Sequence, residues 1–196
     1  MLHREDTQIA GFVFKGHVAA ETVRRLTESD QKSVEVGFEE ISNKVSLSLL
    51  DEDHVASAKK MSAVFIAIAS FENSVRDLVS SRLLEQKGAN WWDVCVTNAE
   101  IKNRAKDRQE REKQIRWHQA RGLSPIYYVE LGDLPKIIRA NWNCFEDLMH
   151  DMDWVQQIFN ALERSRNVIM HSGQLSMDDI ERVGVFIRDW LRQVGG

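Results

Sequence analysis

Apolar residues recur along most of this chain at helical spacing and divide it into a small number of amphipathic segments. The longest predicted helix runs from about His54 to Gln86. Asp53 is its expected N-cap, Met61, Phe65, Ile68, Phe71, Val75, Leu78 and Val79 form its stripe, and Gly88 takes the position after the helix that tolerates a left-handed backbone. Asn90 predicts the start of a second helix that opens with Trp91-Trp92 and continues through a charged stretch to about Gln119, where Gly122, Ser124 and Pro125 break it. The stretch from Ile126 to Leu131 is short, aromatic and β-branched, which predicts an extended segment or a small strand. Asp133 then caps a helix with Pro135 in its first turn and Leu134, Ile137, Ile138, Trp142, Phe145 and Leu148 as its apolar face. Val155, Ile158, Phe159, Leu162 and Ile169 mark a further helix ending near His171, with Gly173 as the stop. Ser176 followed by Asp179 is close to a capping box, and the last helix uses Ile180, Val183, Ile187, Trp190, Leu191 and Val194.

The N-terminal part is less regular. Val34, Phe38, Ile41, Val45 and Leu49 have helical spacing, although Val34, Val36 and Phe38 also alternate in the manner of a strand. Ile9, Phe12, Val13 and Phe14 fit either a short strand or a hydrophobic arm that docks on the core. Together these patterns predict an all-α bundle of about five main helices with a short N-terminal arm. The division expected is an arm and helix over residues 1–50 and a helical domain over 51–196.

Composition changes this picture little. Two prolines and ten glycines are few breakers, which favours long helices over many short strands. The net charge of −4 argues against wholesale wrapping of nucleic acid but leaves room for a local basic face. Cys95 and Cys144 are isolated, with no paired spacing to suggest a zinc site or a disulfide, and a reducing cytoplasm suits them. The N-terminus lacks signal-peptide architecture and no apolar run approaches the ~18 residues of a membrane span, so a cytoplasmic protein without a membrane partner is expected. His54, His118 and His150 have no ligand-spaced partners and read as surface residues, so neither a metal nor a cofactor is expected.

One hexapeptide concentrates chemistry, Arg166-Asn167-Val168-Ile169-Met170-His171. Asn167 and His171 are four apart and share a helix face, and the long Arg166 side chain reaches the same spot from one position round. His171 falls in the last turn, where the helix dipole favours positive charge. Arginine offers a planar fork of donors to phosphate oxygens. Imidazole gives and takes protons at cellular pH, and asparagine can fix the imidazole ring or a substrate oxygen. These parts suit metal-free RNA cleavage, in which a histidine moves a proton and an arginine stabilises the transition-state charge. One histidine does not readily do both proton transfers, and a symmetric dimer would bring two together. The plainer reading is a helix C-terminus with a capping histidine and a surface arginine.

Arg166-Asn167-x-x-x-His171 resembles the signature of the HEPN superfamily, helical bundles that usually pair as dimers. Three further stretches resemble the branch found in Swt-type RNA endonucleases and in bacterial stand-alone proteins. They are Phe71-Glu72-Asn73-Ser74-Val75-Arg76, Asn90-Trp91-Trp92, and Leu131-Gly132-Asp133-Leu134 leading through Ile137-Ile138 to Asn141-Trp142 and Phe145. The order and spacing match over about residues 55–192, and the first fifty residues lie outside the resemblance. It implies metal-independent ribonuclease activity in toxin, abortive-infection or phage-defence settings, with RNA as substrate, a homodimer, and an antitoxin or defence-system partner. It also implies an alternative, a non-catalytic module that binds RNA or dimerises.

Glu72 and Arg76 form an i, i+4 pair inside an otherwise apolar stretch. By themselves they read as a semi-exposed salt bridge worth little, whereas the resemblance places such residues in the groove beside Arg166, Asn167 and His171. Between Ile101 and Arg121 eight basic residues outnumber three acidic ones. Lys102, Arg104, Lys106, Arg108 and Arg111 are therefore candidates to hold an RNA backbone. The competing reading is a solvated helix laced with pairs such as Asp107–Arg111 and Glu112–Arg116. Trp91, Trp92 and Trp142 could stack bases, but their apolar-periodic or helix-start positions favour packing.

Overall fold

The computed structural model describes residues 37–115 and 119–195, and these are helices and turns with no strand among them. The expected arm around Ile9 to Phe14 lies outside the described residues, as do Val34, Val36, Arg116 and His118. Of the N-terminal segment, residues 37–44 are helical and Leu47–Leu49 form a 3-10 turn, so Phe38 and Ile41 lie on a helix. The described residues up to Ala56 group as one unit, and those from Ser57 onward form a second compact unit.

Helix α1 spans Glu52–Lys87. Its cap is Asp51, whose carboxylate accepts the His54 N–H at 3.1 Å, not Asp53, which lies in the acidic first turn beside Glu52. Gly88 follows with φ 79°, as expected of the residue after a helix. The buried face runs Met61, Val64, Ile68, Phe71, Glu72, Val75, Arg76, Val79 and Leu83. Val64 takes the place that Phe65 was expected to fill, and Phe65 is 41% exposed. One residue is a rotation of about 100° on a helix, so neighbouring apolar residues compete for one inward position.

The single helix expected from Asn90 to Gln119 is two. Helix α2 is only Trp91–Cys95, and α3 runs Ala99–Gln114. Asn90 makes no side-chain cap bond, whereas Asn98 accepts from the N–H groups of Glu100 (2.9 Å) and Ile101 (3.4 Å). The β-branched Val96 and Thr97 weaken the helix just where an asparagine side chain competes for its amides. Trp91 is buried and meets Trp92 edge-on with centroids 5.7 Å apart, which is packing geometry.

Of the extended segment or small strand expected over Ile126–Leu131, no strand forms, and Val129 and Glu130 alone are extended. Pro125–Tyr128 and Leu131–Asp133 are 3-10 turns, with Ile126, Tyr128, Val129 and Leu131 buried. Helix α4 (Leu134–Ala140) follows Asp133, which stands at the N-cap position but makes no side-chain cap bond because its carboxylate is taken by Arg104 and Lys136. Pro135 is in the first turn, and the helix ends before Trp142, Phe145 and Leu148, which continue in turns. Asn141 stops it by donating to Ile137 O (2.9 Å) and to Cys95 O (3.0 Å), which ties the end of α4 to the end of α2.

Helices α5 (Met152–Met170) and α6 (Met177–Val194) complete the bundle. Asp151 caps α5, and Ser176 with Asp179 forms the full capping box of α6. Phe71 of α1 packs on Phe159 of α5 and Trp190 of α6, with centroids 5.6 and 5.5 Å apart, so these three helices share one core. Side chains of this size contribute roughly 1.5–3 kcal/mol each when fully buried. The unit is thus an all-α bundle of five main helices, α1, α3, α4, α5 and α6. Among the described residues no helix is long and apolar enough to cross a membrane.

Candidate functional site

Arg166 lies in the last turns of α5, and His171 is the residue that caps its C-terminus. The cap is a Schellman motif. Gly173 donates to Val168 O at 2.8 Å and Ser172 to Ile169 O at 3.0 Å, with Ser172 in the left-handed region at φ 61°. A serine in that position is strained, because its Cβ crowds the following carbonyl. Gly173 is required beside it, since a Cβ there would lie 2.8 Å from both Val168 O and Val168 Cγ1. The His171 N–H donates to Asn167 O at 3.1 Å, so the two residues stand one turn apart as their spacing required. Both side chains are exposed.

α1 brings a buried charge to the same place. Glu72 and Arg76 are 6% and 8% exposed, not semi-exposed, and the Glu72 carboxylate pairs with both arginines. Its Oε1 accepts from Arg76 Nη2, and its Oε2 lies 3.6 Å from Arg166 Nε. Buried charges of this kind are rare unless paired. Arg76 is anchored further by Val129 O and by Asn73 Oδ1, each at 2.9 Å, while its buried Nε has no acceptor. Burial pulls the Arg76 guanidinium below its ordinary range, Glu72 opposes that pull, and the positive charges of Arg166 and Arg121 add to it. Arg121 sits over the Tyr128 ring, 5.9 Å from the centroid.

Two of these contacts escaped the sequence reading. Asn73 stands three residues before Arg76, a spacing that puts the two side chains together on a helix. The Val129 carbonyl had no sequence signal, because its approach depends on the turn between Pro125–Tyr128 and Leu131–Asp133.

The basic residues of α3 are arranged differently. Arg104 binds Asp133 at 2.6 Å and pairs with Glu100, and Arg108 donates to Tyr128 O at 2.8 Å and pairs with Glu130. Lys102 donates to Asp93 O at 2.9 Å, and Lys106 is 3.9 Å from Glu110. Arg111 is exposed and pairs with no acid among the described residues. The suggested pair Asp107–Arg111 does not form, and Glu112 pairs with Arg121. The α3 arginines thus hold the connector that carries Val129, and this helix is not brought into contact with Arg166 or His171 by any hydrogen bond or ion pair among the described residues. No group of three or more histidine, cysteine or acidic residues placed to hold a metal occurs among the described residues.

A protein-family model described as Swt1-like HEPN matches residues 67–195. No curated protein and no solved structure matches the chain. The matched region begins in α1 ahead of Glu72 and runs to the end of α6, so it takes in Arg76, Arg166, Asn167 and His171. By that match, over well more than half its length, the chain belongs to the Swt1-like HEPN family.

Proposed function

We propose that this protein is a metal-independent endoribonuclease that works as a homodimer. The observation that carries the reading is the end of α5. Arg166 is backed by the buried Glu72, while Asn167 beside it and His171 one turn beyond Asn167 stand exposed. The ribose 2′-oxygen attacks the neighbouring phosphorus, the bond to the 5′-oxygen breaks, and a 2′,3′-cyclic phosphate and a 5′-hydroxyl result. One proton leaves the 2′-hydroxyl and one arrives on the 5′-oxygen. His171 of one protomer takes the first and the same residue of its partner gives the second, which is why the reading requires two copies. Arg166 stabilises the phosphorane charge and Asn167 orients the imidazole or a phosphate oxygen. Such an activity fits a toxin or an abortive-infection or phage-defence effector, held in check by an antitoxin or a defence-system partner in the cytoplasm.

The test compares wild type with Arg166→Ala and His171→Ala on a defined RNA, with light scattering to follow assembly. Neither side chain is part of the core, so both variants should fold, dimerise and lose cleavage by about 10²–10⁴-fold. Wild-type cleavage rates in either variant, or a strictly monomeric active protein, would reject the reading. Tight RNA binding by wild type without any cleavage would point instead to a non-catalytic RNA-binding module.

A further inference from the structure

We infer that Glu72 is the positioning residue of Arg166, holding its guanidinium by the Nε side so that the two terminal nitrogens face a phosphate. The phosphate part of this inference rests on the nuclease reading above.

The geometry has three parts. First, the Glu72 carboxylate is held in place. Oε1 is taken by Arg76, and Arg76 is itself fixed by Val129 O and Asn73 Oδ1 at 2.9 Å each, so the carboxylate cannot swing without breaking buried hydrogen bonds. Second, the remaining oxygen, Oε2, faces Arg166 Nε at 3.6 Å. Nothing else among the described residues hydrogen-bonds or ion-pairs with Arg166, and its side chain is 35% exposed. A guanidinium has five donors in a planar fork. One edge faces the carboxylate from behind at ion-pair distance, and the terminal pair stays open for a bidentate contact. Third, the charges are unbalanced. One carboxylate serves two arginines, so the group sums to +1. Were Arg76 absent, Glu72 would cancel Arg166 and repel an incoming phosphate. Arg76 thus lets a carboxylate orient Arg166 without neutralising it.

A lysine at position 166 could not take this part, because a single ammonium cannot be held at one edge and offered at another. The contact also differs from a structural ion pair in that Arg166 is neither buried nor fully hydrogen-bonded.

The experiment is a double-mutant cycle on cleavage of a defined RNA oligonucleotide by the full chain, using wild type, Glu72→Gln, Arg166→Ala and the double variant, with thermal melts as a folding control. Misplacement of Arg166 in Glu72→Gln should lower kcat by on the order of 10²-fold with little change in KM. In the Arg166→Ala background the same change should have almost no further effect. Multiplicative losses in the double variant, or a wild-type kcat in Glu72→Gln, overturn the inference. Should Glu72→Gln fail to fold, the wild-type protein still decides the matter. With arginine side chains labelled in ¹⁵N, an RNA carrying a 2′-deoxy group at the scissile position should shift the Arg166 terminal nitrogens and leave Nε in place. The reverse pattern overturns the positioning role. Absence of cleavage by wild type rejects the nuclease reading alone, and in that case movement of the Arg166 Nε resonance in Glu72→Asp supports the Glu72 contact while an unmoved one removes it.

Discussion

Glu72 and Asp133 are both buried carboxylates that serve two cations, yet the two clusters are built to different ends. Asp133 is 4% exposed and fully engaged, with Arg104 at 2.6 Å on one oxygen and Lys136 at 2.7 Å on the other. Arg104 is closed off again by Glu100. Glu72 is fully engaged on the Arg76 side but only loosely on the Arg166 side, at 3.6 Å. The first cluster fixes the turn ahead of α4. The second leaves one arginine charged, partly exposed and open at its terminal nitrogens, next to an exposed asparagine and histidine. Both clusters arise from charged residues set among apolar ones. What separates the structural cluster from the candidate site is that both Asp133 oxygens are taken by close contacts, whereas Arg166 meets its carboxylate only at 3.6 Å and its terminal nitrogens have no partner among the described residues.

The largest effect that would sharpen this contrast is the stability cost of removing each carboxylate. Glu72→Ala strands Arg76, whose side chain is 10% exposed, as an unpaired buried charge, and should cost about 3–5 kcal/mol in denaturant unfolding. Asp133→Ala releases Arg104 and Lys136, which are 34% and 57% exposed and can reach water, so about 1–2 kcal/mol is expected. Equal costs would mean that the two clusters do not differ in the way described. Replacing both members of the buried pair, in Glu72→Met with Arg76→Leu, should recover much of the stability and none of the RNA cleavage. Recovery of cleavage would show that the pair has no part in the site.

A smaller effect is visible in acid. Burial pushes the Asp133 carboxyl up, but hydrogen bonds from Lys136 and Arg104 outweigh it and hold the group below the ordinary carboxylate range. A folded-state value below the unfolded one stabilises above about pH 4 and loses that contribution as pH falls through the depressed value. Asp133→Asn should therefore flatten the acid limb of a stability-against-pH curve, measured by chemical denaturation. An unchanged limb would show that this cluster does not set it. The smallest effect belongs to the turn that presents His171. Ser172→Gly relieves the left-handed serine and should raise stability by about 0.5–1 kcal/mol, after allowing for the greater freedom of glycine in the unfolded chain. A loss of stability would indicate that the serine is not strained there.

The end of α5 was legible in the sequence because its parts are local. Apolar period, Asn167-to-His171 spacing and Gly173 fall within one short stretch, and the capping box of α6 follows it. Glu72 and Arg76 were visible as polar residues in an apolar stripe, but their burial was not, since burial depends on α5 and on the connector packed above them. The extended segment or strand expected over Ile126–Leu131 is mostly 3-10 turn for a related reason. A short apolar run fits a strand or a buried 3-10 turn equally well, and packing against α3 and α5 decides. Likewise Asn90 and Asn98 both look like helix caps. Only the second accepts from backbone amides, and a new helix starts there, so one expected helix became two. The basic residues of α3 were legible as charge, but their partners Asp133, Glu130 and Tyr128 O lie more than a helix turn away in sequence and could not be read from it.

The central claim is that Arg166, Asn167 and His171 cleave RNA through its own 2′-oxygen. The most direct measurement is end-group analysis of RNA incubated with wild type and with His171→Ala in the presence of a chelator. The account predicts 2′,3′-cyclic phosphate and 5′-hydroxyl ends from wild type, none above background from His171→Ala, and no cleavage of a matched DNA. Products with 5′-phosphate ends, cleavage that stops when metal is chelated, or full activity in His171→Ala would contradict it.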